Sequence, residues 1–187
     1  DNGQSSTYIA EYLLAGFGGL RTQSWRPTSA VAGELDSFLS ALVHYSDGVY
    51  SSGPDLNYVY ARTFWLEDHP LTNHQRSVIR NYLASLWAAR INPGLYSDAL
   101  LIICSMAYFD RSEQVYKKAL EQLQNIREMA ITDETGGIRW TALAADDDLN
   151  TCSAETISML CKAFEHSPGY AVFRAGILKW LLEAQAA

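Results

Sequence analysis

Three consecutive aspartates, Asp146, Asp147 and Asp148, form the sharpest local concentration of charge in this 187-residue sequence. Clustered carboxylates can hold Mg²⁺ or pass a proton to a substrate. Their place just ahead of a helix expected to begin at Thr151 offers a plainer use, since acidic groups favour the positive end of a helix dipole and water can hydrate them there. Glu155 is the second candidate, a carboxylate in a segment that otherwise carries Ile157, Met159, Leu160 and Phe164. In such surroundings it must find hydrogen bonds or lose its charge. No second carboxylate stands at a fixed distance from it, so the acid/base pair of a glycosidase is not defined. A buried Glu155, tied by hydrogen bonds to a neighbouring helix end, is the expectation.

The remaining reactive residue types lack a workable arrangement. Cys104, Cys152 and Cys161 are odd in number and include no Cys-x-x-Cys. On one helix, Cys152 and Cys161 would lie on opposite faces at ~13 Å, too far to bridge, so all three are read as buried thiols acting as small hydrophobes. His44, His69, His74 and His166 are not spaced as metal ligands, and Pro70 keeps His69 and His74 off one helical face. Gly16-Phe17-Gly18-Gly19 falls within or at the end of a helix instead of after a strand, which suits close helix approach and not phosphate binding. There is no Gly-x-Ser-x-Gly elbow. Trp65, Trp87 and Trp180 sit at helix-core spacing, as packing residues do, instead of marking a carbohydrate groove. No catalytic, cofactor-binding or metal-binding residue is assigned.

Composition narrows the class further. The net charge is −7, with 48% hydrophobic, 12% aromatic and 19% charged residues. That apolar content excludes a disordered tail, and the acidic balance argues against a duplex nucleic-acid partner and a polybasic membrane patch. The most apolar segment, residues 99–109, stops at Asp110, short of the ~20 residues of a membrane span, so no direct membrane insertion is expected. The chain opens Asp1-Asn2-Gly3-Gln4 without the features of a signal peptide, as a mature product or an excised fragment would.

The elements that must position these residues read as helices almost throughout, at about 5–20, 28–45, 55–67, 73–90, 95–109, 112–131, 151–166 and 170–185. Predicted caps are Ser5 or Ser6, Thr28 or Ser29, Asp55, Thr72 or Asn73, Ser112, and Asn150 or Thr151. Predicted stops are Gly48, Pro93-Gly94 and Gly136-Gly137. Residues 99–109 are apolar nearly all round, whereas the next helix confines Val115, Ala119, Leu123, Ile126 and Ala130 to one face. The pair before it repeats the contrast, with Val78, Tyr82, Leu86 and Ala89 as the outer stripe. Inner and outer helices thus alternate in four hairpins. Gly48-Val49-Tyr50, Gly94-Leu95-Tyr96 and Gly137-Ile138-Arg139-Trp140 each place an aromatic shortly after a glycine, where it can plug the space between successive hairpins. The fold class expected is all-α, a partial α/α toroid of inner and outer layers in a single domain over 1–187.

Several segments carry a family resemblance in their order along the chain. These are Ser5-Ser6-Thr7-Tyr8-Ile9 leading to Leu13-Leu14-Ala15-Gly16-Phe17-Gly18-Gly19-Leu20, Leu56-Asn57-Tyr58-Val59-Tyr60-Ala61-Arg62, Gly137-Ile138-Arg139-Trp140, Ala154-Glu155-Thr156 and Lys179-Trp180-Leu181-Leu182. The chain resembles the thioester-type α/α toroid domain of bacterial alpha-2-macroglobulin family proteins. The family's Cys-x-Glu-Gln thioester is absent: Cys152-Ser153-Ala154-Glu155 continues with Thr156. The resemblance implies a non-enzymatic part, about four of six hairpins, of a larger periplasmic or cell-envelope protein that traps proteases. Its partners would be the parent's other domains and, in the parent, proteases. Tyr58, Arg62, Trp140, Glu155 and Trp180 are its structural or interaction candidates. The alternatives are a glycan-active hydrolase using Glu155 with one of Asp146 to Asp148, and a peptide-binding helical repeat. Faces of the first and last hairpins, including Leu13, Phe17, Ile177 and Trp180, are candidates for uncovered surface, which would either drive self-association or be covered internally by a collapsed arrangement.

Overall fold

The computed structural model describes residues 2–51, 53–89, 94–141, 152–165, 167 and 169–186. They form eight helices and one short two-stranded ribbon, divided into two compact units, Asp1–Ser85 and Leu86–Ala187. The chain is thus predominantly helical, and each of the eight predicted helices has its counterpart.

The first unit contains α1 (Asn2–Thr22), α2 (Ser29–Val49), α3 (Leu56–Thr63) and most of α4 (Asn73–Ala89). Local chemistry explains the starts of α3 and α4. Asp55 caps α3, its carboxylate accepting the Tyr58 amide N–H at 2.8 Å. Thr72 and Gln75 form a reciprocal capping box: the Gln75 amide donates to Thr72 Oγ1 at 3.2 Å and the Thr72 amide to Gln75 Oε1 at 2.9 Å. Three boundaries differ from expectation. α1 already begins at Asn2, so Ser5 and Ser6 lie within it, Gly48 does not stop α2, which runs on to Val49, and α3 ends at Thr63 with turns to Asp68. On α4 the buried residues are Ile79, Leu83 and Trp87, one position beyond the predicted stripe; Ala89 is exposed. That shift moves the stripe by about a quarter turn, which alternating apolar neighbours such as Val78-Ile79 leave unresolved in sequence.

Here α1 packs on both α2 and α3. Leu14, Leu39, Val43, Ala61 and Trp65 form the core, and the Trp65 indole N–H donates to the Leu14 carbonyl at 3.0 Å. Gly18 lets α1 approach the end of α3, since a Cβ there would lie 2.4 Å from that of Phe64.

The second unit contains α5 (Leu95–Tyr108), α6 (Gln114–Glu128), β1 (Ile131–Thr132), β2 (Ile138–Arg139), α7 (Ala154–Glu165) and α8 (Ala171–Ala186). α5 packs on α6 and α7, α7 on α8, and α8 on β2. Most of α5 is buried, including Leu100 to Ser105, as its all-round apolar sequence requires. Along α6 the buried Ala119, Leu123 and Ile126 occupy the predicted stripe.

A ribbon stands where sequence reading extended a helix to residue 131 and placed a stop at Gly136-Gly137. β1 and β2 pair antiparallel, with Ile131 opposite Arg139 and Thr132 opposite Ile138. Asp133 builds the turn by accepting the amides of Thr135 and Gly137 at 2.9 and 2.8 Å, and Gly136 takes φ +88°. These bonds, with the Thr135 hydroxyl foremost, hold the Asp133 carboxyl below its ordinary pKa. α6 begins at Gln114, with its N-cap at Glu113, one residue past the expected Ser112. Ser153 accepts the Thr156 amide at 3.2 Å at the start of α7, while the expected caps Asn150 and Thr151 lie outside the described residues.

Candidate functional site

In the first unit a polar cluster forms around α3. Tyr58 and Arg62 are one turn apart on the same helical face, so both reach a single partner. That partner is Asp47, in the last turn of α2. Asp47 Oδ1 accepts the Tyr58 hydroxyl at 2.8 Å and Arg62 Nε at 2.8 Å, and Oδ2 accepts Arg62 Nη2 at 3.2 Å. Nη2 also donates to the His69 carbonyl at 2.6 Å. The Arg62 side chain is 1% exposed, and its Nη1 has no protein partner. Such a side-on pairing offsets part of the cost of burying a guanidinium, because its charge and two of its three nitrogens, Nε and Nη2, are met. Burial, followed by the Asp47 bond, pushes the Tyr58 phenol well above its ordinary pKa.

Tyr50, at the C-cap of α2, stacks on Tyr58 with ring centroids 4.5 Å apart. Its hydroxyl meets Glu11 of α1 and, at 2.9 Å, Asp55 at the start of α3. This is the predicted role of the aromatic after Gly48: it joins the first hairpin to the helix that follows. Beside the cluster lies a cavity of ≈ 450 Å³ whose walls include His44, Asp47, Arg62, Asp68, His69 and Gln75. The His44 and His69 rings are 5.9 Å apart, and Asp68 is paired with Arg21. Most of the charge in this wall is therefore already committed within the fold. Among the described residues no group of three or more His, Cys, Asp or Glu is arranged to hold a metal ion.

The second unit has its own joint. Trp140 is 1% exposed, donates its indole N–H to the Ile126 carbonyl at 2.7 Å, stacks on Phe164 and meets Phe173 edge-on. It thus fills the junction of α6, α7 and α8, as predicted for the aromatic after Gly137. A buried side-chain bond, Gln122 to Asp98 at 2.9 Å, ties α6 to α5. Gly94-Leu95-Tyr96 departs from the pattern: Gly94 is the N-cap of α5 at φ +87°, and Tyr96 lies inside that helix.

Other candidates separate. Glu155 is exposed in the first turn of α7, contrary to the expectation that it is buried. The helix turns Ile157, Leu160, Cys161 and Phe164 to the core, and Glu155 falls roughly on the opposite side, where an acid favours the helix start. Trp180 is half-buried and Ile177 fully buried, so Ile177 is not part of an uncovered face; Leu13 and Phe17 are half-buried. All three cysteines are free and buried, and burial raises the thiol pKa of each. Asp146, Asp147, Asp148 and His166 lie outside the described residues. The sequence did not mark Asp47 or Glu11, since what distinguishes them is a partner distant in the chain. Comparisons with protein-family models, curated proteins and solved structures give no match. No helix among the described residues is long and apolar enough to cross a membrane.

Proposed function

We propose that this chain is a non-enzymatic helical domain of an alpha-2-macroglobulin-like protease-trapping protein of the periplasm or cell envelope. It would be built as part of an α/α toroid and partnered by the parent's neighbouring domains. The observation that carries this reading is how the residues behind the resemblance are employed. Tyr58, Arg62 and Trp140 are buried and spent on joining helices, which a scaffold requires and a reaction centre does not.

The packing order supports a two-layer arrangement within each unit. Odd helices meet odd helices, α1 on α3 and α5 on α7, while α1, α5 and α7 each pack on the helix that follows. An inner layer of odd helices backed by even ones has this contact order. In the proposal, protease capture belongs to the parent, and this domain supplies a rigid packing surface. The test mixes the chain alone with endopeptidases and, separately, with a glycan panel, and compares a larger parent protein that includes it. Inhibition by the parent only is expected. Potent inhibition by the chain alone would contradict the reading, and glycan hydrolysis abolished by Glu155→Gln in a folded protein would replace it with the hydrolase.

A further inference from the structure

Tyr50 presents one hydroxyl to two carboxylates, Glu11 in the middle of α1 and Asp55 at the start of α3. A phenol carries one proton and donates one hydrogen bond. With both carboxylates ionised, one of the two contacts would set lone pair against lone pair, and Glu11 is only 5% exposed. Little water reaches the Glu11 side of that opposition, and an unmet buried charge is costly to a fold. One further proton among the three groups removes the opposition and gives every contact a donor.

We infer that Glu11, Tyr50 and Asp55 form a single proton-binding site with the additional proton on Glu11. The Glu11 carboxylic acid donates to Tyr50 Oη, and the Tyr50 hydroxyl donates to the Asp55 carboxylate. Asp55 is the ionised member because its other oxygen accepts the Tyr58 amide at 2.8 Å, at a helix start that favours negative charge. Glu11 lies mid-helix, where backbone amides are spent within the helix itself.

Among the described residues the groups that act on the Glu11 carboxyl are Tyr50, at the C-cap of α2, and Asp55, at the N-cap of α3, and neither brings a positive charge. α2 also carries Glu34, Asp36, His44 and Asp47, and α3 carries Tyr58 and Arg62. Arg62, the cation among them, is held by Asp47. Burial raises the Glu11 carboxyl above its ordinary pKa, the Tyr50 bond partly opposes this, and Asp55 adds to the rise. Burial and both carboxylates likewise raise the Tyr50 phenol.

The site makes the tie between α1 and α3 proton-linked. A carboxyl raised in the folded state contributes its full stability below the ordinary glutamate pKa. That contribution falls as pH climbs to the folded-state pKa. Acid therefore tightens the joint, and rising pH loosens it.

The test measures urea unfolding of the full chain and of Glu11→Gln from about pH 4 to about pH 8. The glutamine amide supplies the donor hydrogen permanently. The wild-type chain should lose stability relative to Glu11→Gln as pH rises, tenfold in the folding constant for each unit by which Glu11 is raised. The Glu11 carboxyl ¹³C shift, assigned by its absence in the variant, should titrate above the ordinary glutamate range. A stability gap independent of pH, or a ¹³C titration at the ordinary value, would overturn the site. If Asp55→Asn flattened the profile and Glu11→Gln did not, the assignment of the proton to Glu11 would be wrong.

Discussion

Arg62 and Asp47 illustrate what a buried charge demands of its partner. With Arg62 at 1% exposure, Asp47→Ala leaves a buried guanidinium without its paired carboxylate, at an expected cost of about 3–5 kcal/mol. Arg62→Met removes the charge at similar volume and should cost less than Asp47→Ala. Chemical denaturation of both variants checks this, and equal or negligible losses would show that the pair contributes little. The three thiols offer a second check at this scale. Buried with raised pKa values, they should resist a disulfide reagent at neutral pH in the folded chain and all react after denaturation; rapid native reaction of Cys104 would refute its burial. Trp140 is legible as a structural residue because it follows a glycine turn, whereas Tyr58 and Arg62 are candidates only through the family resemblance. Asp47, fifteen positions from Arg62, is not legible, since its role is a distance and sequence records none. Glu155 differs for another reason: its apolar neighbours in sequence are not its neighbours in space, because helical rotation carries it away from them.

Among the elements, the glycines of α1 separate close approach from mere tolerance. A methyl on Gly18 would meet Phe64 at 2.4 Å, while one on Gly16 would meet nothing within 4 Å. Gly18→Ala should therefore destabilise by about 1–3 kcal/mol through overpacking. Gly16→Ala should stabilise by up to about 1 kcal/mol through helix propensity. Thermal melts of the two variants should move in opposite directions; a common sign would show that α1 does not rest on the end of α3 through Gly18. The same Gly-rich segment was readable as a helix-approach motif, but which glycine makes the approach depends on tertiary packing. Helix existence was legible throughout from periodicity and caps such as Asp55 and Thr72. The ribbon was not, because strands of two residues have no period to read and its signal lay in turn chemistry, Asp133 through Gly136. Asp47-Gly48 looked like a stop, yet nothing in the local chemistry of a single glycine compels a helix to end.

For the whole molecule the telling feature is apolar surface left in contact with water. In the first unit Val31, Phe38, Tyr45 and Val49 form one exposed stripe along α2, and Tyr8, Ile9 and Tyr12 form another on α1; in the second, Leu178 and Leu182 share an exposed face of α8. Isolated exposed hydrophobics are ordinary, but stripes spaced by one and two helical turns are what helices bury against other helices. The proposed parent would cover these faces with its neighbouring domains, and the chain alone has only further copies of itself to serve. Light scattering should then detect concentration-dependent association of the chain alone. Phe38→Glu and Leu182→Glu should each reduce it, since both side chains are exposed, at 49% and 69%, and can be charged without disturbing a core. Ile177→Glu would not serve as a test of association, because Ile177 is buried and its replacement would unfold the chain first. A monomeric wild-type chain at high concentration, or an association mass indifferent to both substitutions, would mean that these stripes are not docking faces and would remove the surface on which the parent's domains are proposed to pack.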